Sequence, residues 1–308
     1  MPWAGVPELA IDGKDIGLVQ KKLTVSREFS CLNSIIIDSI SMKLGFIGGG
    51  QMCEGIIKGL IVQNNPALIS VSEPYEQRRQ YLKQAFPCAK ITSHNQEIIA
   101  ESEIVILSCK PQQLSNATMG ISLDSRPLFI SICAGVPITR LEQFLSPESR
   151  VVRVMPNLPA MVGEGASGFC VNANCTAADV EIVKGIFKSV GCVVEQVPEA
   201  LMDVVTGVSG SGPAYVCLFI EAMADAAVKY GMPRDAAIRL AAQTCVGAGK
   251  LVLTGGDSNH PAVVKDKICS PGGTSIAAVA ALEEKGFRAA VLAGVTAAIE
   301  RSKDLGKL

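Results

Sequence analysis

The sequence predicts an α/β protein, with an N-terminal doubly wound sheet followed by an all-helical domain. Three observations carry that prediction. Between Lys43 and Val197, short apolar runs alternate with amphipathic helical stretches. The first run ends in three consecutive glycines, Gly48-Gly49-Gly50. Beyond Pro198 the strand signals stop and Ala-rich helical patterns take over. Apolar strands separated by helices imply a parallel sheet covered on both faces.

The elements follow in order. Lys43–Gly48 is a short apolar run closed by glycine and reads as a strand. Gln51–Gln63 reads as a helix, thinned on one face by Gly55 and Gly59 for tight packing on the sheet. Leu68–Ser72 is a strand, Tyr75–Phe86 a helix and Ala89–Thr92 a short strand. Ile104–Ser108 and Leu128–Ile132 are strands with a Pro111-led segment between them. Val151–Met155, Ser167–Val171 and Val193–Val197 are further strands, with a helix at Ala177–Ser189. Pro213–Tyr230, Pro233–Thr254, Thr274–Glu284 and a last segment from Phe287 to about Lys303 read as helices, broken at Gly231-Met232-Pro233 and Gly255-Gly256. Residues 1–41 show no periodicity and mix acids with bases, unlike a typical transit or signal peptide; they read as a disordered extension or as sequence upstream of a start at Met42, with organellar targeting left open. The expected division is 1–41, 42–200 and 201–308.

Composition narrows the function. Of 308 residues, 48% are hydrophobic and 19% charged, which supports a sizeable core. The net charge is -1 with no Lys/Arg run, against a nucleic-acid binder. No apolar stretch is expected to span a bilayer, because Pro213–Tyr230 carries Glu221 and Asp225 near its middle. The 11 cysteines are scattered without paired C-x-x-C spacing, so no metal site is expected. Cys109, Cys133 and Cys192 read as small buried hydrophobes of a reducing, cytoplasmic location. The apolar content of the helical part suggests pairing with another chain.

Gly48-Gly49-Gly50-Gln51-Met52-Cys53 matches a G-x-G-x-x-small fingerprint between a strand and a helix. Gly48 allows the turn and Gly50 lets a pyrophosphate approach the backbone. That makes the first domain a Rossmann-type dinucleotide-binding domain. Glu73 ends the second strand, where an acid bonds a ribose 2′-OH and repels a 2′-phosphate; it favours NAD over NADP. Arg78 and Arg79 could instead meet such a phosphate, and Glu73 could simply cap the following helix.

A second loop, Ser270-Pro271-Gly272-Gly273-Thr274-Ser275, precedes a helix and offers free N–H groups to an anion. The alternative is an ordinary N-cap. His94 and His260 are the only histidines, and neither sits where a general base would stand beside a nicotinamide. Reducing a C=N bond asks less: one hydroxyl can polarise the nitrogen.

The motifs then identify a resemblance. Cys109-Lys110-Pro111-Gln112, Ser131-Ile132-Cys133-Ala134-Gly135-Val136, Arg153-Val154-Met155-Pro156-Asn157-Leu158-Pro159, Thr206-Gly207-Val208-Ser209-Gly210-Ser211-Gly212-Pro213-Ala214-Tyr215, Lys265-Asp266 and the Ser270–Ser275 loop follow the glycine fingerprint in order. From Met42 to about Leu305 the chain resembles the pyrroline-5-carboxylate reductases. The resemblance implies reduction of 1-pyrroline-5-carboxylate to L-proline with NADPH or NADH, and a helical domain that interlocks with a second copy in dimers that assemble further, commonly to decamers. It maps substrate carboxylate binding to Ser270, Gly272, Gly273, Thr274 and Ser275, and catalysis to Ser275 with Thr274. It maps cofactor contacts to Gly48, Gly49, Gly50, Gln51, Met52, Asn95, Cys109, Lys110, Pro111, Cys133, Ala134 and Gly135, with Glu73 beside them. The chain departs from the family at Ser275 (usually Thr), Cys53 (usually Ala), Glu73 (a short polar residue in many) and Lys267 (Asn in some). The β-hydroxyacid dehydrogenases share the architecture but place a catalytic Lys where Gly207–Glu221 has none. The intact substrate loop also argues against a sensor that has lost its chemistry.

Overall fold

The computed structural model describes residues 42–63, 68–120, 126–256 and 260–306. The expected disordered extension at 1–41 lies outside the described residues. Eight strands form one sheet: β1 (Lys43–Ile47), β2 (Leu68–Ser72), β3 (Lys90–Thr92), β4 (Ile104–Leu107), β5 (Leu128–Ser131), β6 (Arg150–Met155), β7 (Ala166–Val171) and β8 (Val193–Gln196). Their spatial order is β3-β2-β1-β4-β5-β6-β7-β8. The order reverses between β1 and β4, and a doubly wound sheet opens a ligand crevice at such a point, beyond the strands' carboxyl ends.

Alternation along the strands builds two cores. Phe46 and Ile106 point to one face with Leu44, Ile56, Ile57 and Phe169. Ile47, Val105 and Leu107 point to the other with Ile98, Phe129 and Leu141. Both faces are apolar and covered, as the unbroken apolar runs require. The sheet is not wholly parallel, because β7 pairs antiparallel with β6. The connection Pro156–Gly165 explains this: a parallel crossover needs a dozen or more residues, and this one holds only the short 3-10 segment Leu158–Val162. The helix Ala177–Lys188 then returns the chain so that β8 runs parallel to β7.

The thin face of the first helix, α1 (Gln51–Val62), has a different partner from the one expected. A Cβ on Gly55 would lie 2.9 Å from Met161 Sδ, and one on Gly59 would lie 2.5 Å from the Ser189 carbonyl oxygen. Those glycines admit the 158–162 segment and the end of the Ala177–Lys188 helix, while Cys53 faces the sheet core. The structure also has helices at Asn95–Glu101, after His94, and at Pro261–Ile268, which His260 starts, and it adds Ile138–Phe144 and Met202–Val205, which the sequence pattern does not announce.

After β8 the described chain is helical. A short turn at Glu199–Leu201 leads through Met202–Val205 into a π-helical turn, Thr206–Gly210, closed by the Ser211 N–H donating to the Thr206 carbonyl at 2.8 Å. Then come the helices Gly212–Lys229, Arg234–Thr254, Pro261–Ile268, Thr274–Glu284 and Phe287–Leu305. Asn157 fastens the π turn to the sheet. Its Nδ2 donates to the Ser209 carbonyl at 3.0 Å, and its Oδ1 accepts the Ala166 N–H at 2.9 Å. Gly207 lets the last helix cross closely, since a Cβ there would lie 2.4 Å from Ile299 Cγ1.

These helices bury little in a single chain. Gly212–Lys229 buries only Ala224, and Thr274–Glu284 buries none of its residues. Leu218, Leu240, Leu253 and Leu292 are all exposed. The expectation of no membrane-length apolar stretch is corrected: Glu199–Lys229 and Arg234–Thr254 are long and apolar enough to cross a membrane, by length and composition alone. The π turn and the following helix join without a break, which lengthens the run beyond Pro213–Tyr230.

Gly207→Ala will drive a methyl group into Ile299 and lower stability by about 1–3 kcal/mol, the usual cost of overpacking. Urea unfolding of the variant beside the parent checks this.

Candidate active site

Local geometry leaves the glycine loop open at an uncapped helix start. Gly48 has φ 107°, and its N–H donates to the Ser72 carbonyl at 2.8 Å. A Cβ there would lie 2.8 Å from the Ser108 carbonyl oxygen, so only glycine lets β1 turn this close to the exit of β4. Gly50 is the N-cap of α1 and no side chain caps the helix. A Cβ on Gly50 would meet nothing within 4 Å. The first free N–H groups of the helix therefore open onto clear space, as a pyrophosphate requires.

Charged side chains hold this backbone from outside. Glu73 is buried; its Oε2 accepts the Gly49 N–H at 2.8 Å and its Oε1 the Tyr75 N–H at 3.0 Å. Tyr75 is the N-cap of the helix Glu76–Ala85, so Glu73 serves the cap and shapes the glycine loop as well. Arg78 Nε donates to the Gly49 carbonyl at 2.6 Å and its Nη2 to Glu54 Oε2 at 2.8 Å, with the guanidinium 4.7 Å from the Tyr81 ring centre. Arg79 donates to the carbonyls of Glu73 and Pro74 at 2.8 and 2.7 Å and pairs with Glu76. Burial alone would raise the Glu54 carboxyl, but hydrogen bonds from Lys58, Arg78 and Tyr81 outweigh it and hold the pKa down to about 2.

The other expected cofactor residues gather along the carboxyl ends of the strands. Asn95 accepts from Ser72 Oγ at 2.5 Å and donates to the Ala117 carbonyl at 2.9 Å. Cys109 follows β4, and Lys110 precedes the 3-10 turn that Pro111 opens. Cys133 follows β5, and its thiol donates to the Cys109 carbonyl at 3.2 Å. The Cys133 sulfur and burial together push the Cys109 thiol well above the ordinary thiol range. Gly135 turns with φ 76°. Cys133 is buried and Cys109 half-buried as expected of small hydrophobes, but Cys192 is exposed, because Gly191-Cys192 forms the turn before edge strand β8. Among the described residues no cluster could hold a metal ion.

The second loop also has an anion-receiving shape. Gly272 has φ 70°, and the Gly273 N–H donates to the Ser270 carbonyl at 3.0 Å. Gly273 is the N-cap of the 11-residue helix Thr274–Glu284, with no side-chain cap. The ordinary-cap alternative therefore fails: neither hydroxyl closes the helix, and its first N–H groups remain available. Thr274 is exposed and Ser275 half-buried. His260 has a structural task, accepting the Ala262 N–H at 3.2 Å as the N-cap of Pro261–Ile268.

Comparison with known proteins gives this arrangement its setting. A family model described as pyrroline-5-carboxylate reductase dimerisation matches residues 199–305. Another, NADP oxidoreductase coenzyme F420-dependent, matches residues 43–135. A pyrroline-5-carboxylate reductase of Synechocystis is 46% identical over 271 residues, 87% of this chain and 100% of the relative. One from Methanosarcina acetivorans is also 46% identical, over 87% of this chain and 99% of its own. The chain belongs to the pyrroline-5-carboxylate reductase family. Among solved structures, the reductase of Coxiella burnetii superposes with TM-score 0.80 at 30% identity, covering 87% of this chain and 100% of its own. That of Plasmodium falciparum, which carries NADP, has TM-score 0.75 at 35% identity, covering 86% and 98%. The domain is thus of the NAD(P)-binding Rossmann type with a helical dimerisation region, and it fits NAD(P)H at the Gly48–Met52 loop.

The sequence offers Arg78 as a partner for a ribose 2′-phosphate and gives Glu54 no task; the structure joins the two beside the Gly49 carbonyl, because two helices flank β1 and β2. The Asn157 clip was visible as a motif without a task.

Two outcomes test this geometry. Gly50→Ala will leave the thermal midpoint nearly unchanged and weaken NAD(P)H binding about tenfold, or roughly 1.4 kcal/mol, by occupying the open approach; a thermal scan reads the first and a fluorescence titration the second. Glu54 has a depressed folded-state pKa, so its stabilisation is complete above about pH 4.5 and drains away as pH falls toward 2. Glu54→Gln will flatten the pH dependence of Tm across that interval, measured by thermal scans at stepped pH.

Proposed function

We propose that this chain reduces 1-pyrroline-5-carboxylate to L-proline at the expense of NAD(P)H. The balance is one imine, one NAD(P)H and one proton in, and one secondary amine and one NAD(P)+ out. The observation that carries the reading is the shape of the Ser270–Ser275 loop, an uncapped helix start with two hydroxyls, in a chain that covers its named relatives end to end. NAD(P)H supplies the hydride when bound. The protein's task is to orient the imine and steady its nitrogen.

The free N–H groups at the helix start, from Thr274 onward, with the Ser270 hydroxyl, receive the substrate carboxylate. That anchor turns one face of the C=N bond toward the cofactor crevice, and proximity supplies much of the rate. The Ser275 hydroxyl, assisted by Thr274, holds the imine nitrogen and its proton as the carbon is reduced. Serine keeps the donor that threonine gives in relatives, without the β-methyl that restricts χ1. No histidine base is needed for this step.

Glu73 places a buried negative charge where a ribose 2′-phosphate would lie and favours NADH. The exposed apolar helices of 199–305 pair with a second copy, and dimers assemble further, a decamer being the family's common form. That pairing, with no need for a bilayer, covers the surface left open in the single chain and suits a cytoplasmic enzyme.

Ser275→Ala will lower kcat at least about tenfold, the low end of what a positioned proton donor contributes, with the NADH KM unchanged. Steady-state kinetics with both substrates varied checks this, and an equal loss in both constants would remove Ser275 from the imine. Glu73→Ser will shift the kcat/KM ratio toward NADPH.

A further inference from the structure

The loop Cys133–Val136 is held from two directions by residues that take no part in the assignment above. On one side, Glu199 Oε1 accepts the Ile138 N–H at 2.6 Å, just beyond that loop. The same oxygen lies 3.5 Å from Arg153, a guanidinium only 8% exposed on β6. Arg153 also lies 3.8 Å from Asp203, which accepts from Ser302 Oγ at 2.7 Å. Ser302 is 4% exposed and sits in the last turn of the helix Phe287–Leu305. On the other side, the end of that helix touches the loop itself. A Cβ on Gly306 would lie 2.9 Å from the Gly135 carbonyl oxygen, and one on Gly135 would lie 3.5 Å from the Leu305 Cβ.

We infer that Arg153, Glu199, Asp203 and Ser302 form a positioning brace that seats the C-terminal end of the last helix against Gly135 and so fixes the loop that contacts the cofactor. The inference rests on the functional reading, which makes Cys133, Ala134 and Gly135 cofactor contacts. Physically, the brace replaces a flexible loop with one whose conformation is set before binding, and preorganisation of this kind lowers the cost of association. A buried guanidinium with two half-buried carboxylate partners suits the role, because removing either partner leaves the Arg153 charge less compensated. The helix that seats the loop lies in the region matched to dimerisation, so assembly and cofactor affinity share one element.

The test is equilibrium binding of NADPH to the full chain, followed by its fluorescence, for the parent, Ser302→Ala and Gly306→Ala. Ser302→Ala releases the helix from Asp203, and Gly306→Ala wedges a methyl group against Gly135. Each should raise the NADPH Kd about fivefold, the loss of one hydrogen bond's worth of positioning. Dimer mass by light scattering and the KM for pyrroline-5-carboxylate should stay at parental values. If Ser302→Ala fails to fold, Gly306→Ala alone decides. Unchanged Kd values in folded variants, with or without a fall in Tm, would overturn the brace. So would a loss shared equally by the substrate KM. A parent chain that binds neither NADPH nor NADH overturns the functional reading and the brace together, whereas a parent that binds while both variants bind as tightly overturns the brace alone.

Discussion

The backbone of Gly48–Gly50 is pinned by a carboxylate on one side and a guanidinium on the other, and the rest of the site depends on that. Glu73 takes the Gly49 N–H and Arg78 takes the Gly49 carbonyl. With the backbone N–H and the carbonyl of Gly49 both committed, Gly50 and the start of α1 are left facing open space. Hydrogen bonds to charged partners are the stronger ones, so this clamp is stiff. The Glu54 carboxylate beneath it keeps Arg78 in place and stays charged far into the acid range. The glycines supply the conformations, and the charges select one of them.

The two halves of the chain answer different demands. The sheet buries its apolar residues on both faces and is complete in one chain. The helices after Pro198 leave leucines exposed, in the region matched to dimerisation. The Ser270–Ser275 loop belongs to this second half, within the region matched to dimerisation. Asn157 and the Arg153–Asp203–Ser302 brace are the fixed joints that keep the two halves in register.

Much of this was legible in the sequence, and the boundary is instructive. Strand and helix positions followed from local periodicity, which is why Leu68–Ser72 and Thr274–Glu284 fall where expected. The antiparallel turn of β7 was hidden, because an apolar strand reads the same in either direction and only the length of Pro156–Gly165 distinguishes them. Gly55 and Gly59 announced close packing, but on the sheet, whereas the partner came from residues 100 or more positions later, such as Met161. Glu73 was visible as a candidate ribose ligand and as a cap, and its hold on Gly49 appears only once β1 and β2 lie side by side. The site's chemistry was legible wherever one short motif carries it; its supports were not, because they join distant segments.

The central claim is that the two loops act together on one imine. Incubating the purified chain with NADH or NADPH and pyrroline-5-carboxylate, and measuring L-proline formed against cofactor oxidised, tests it most directly. The account predicts one proline for each cofactor consumed. A chain that binds the cofactor yet forms no proline with either nucleotide would contradict it.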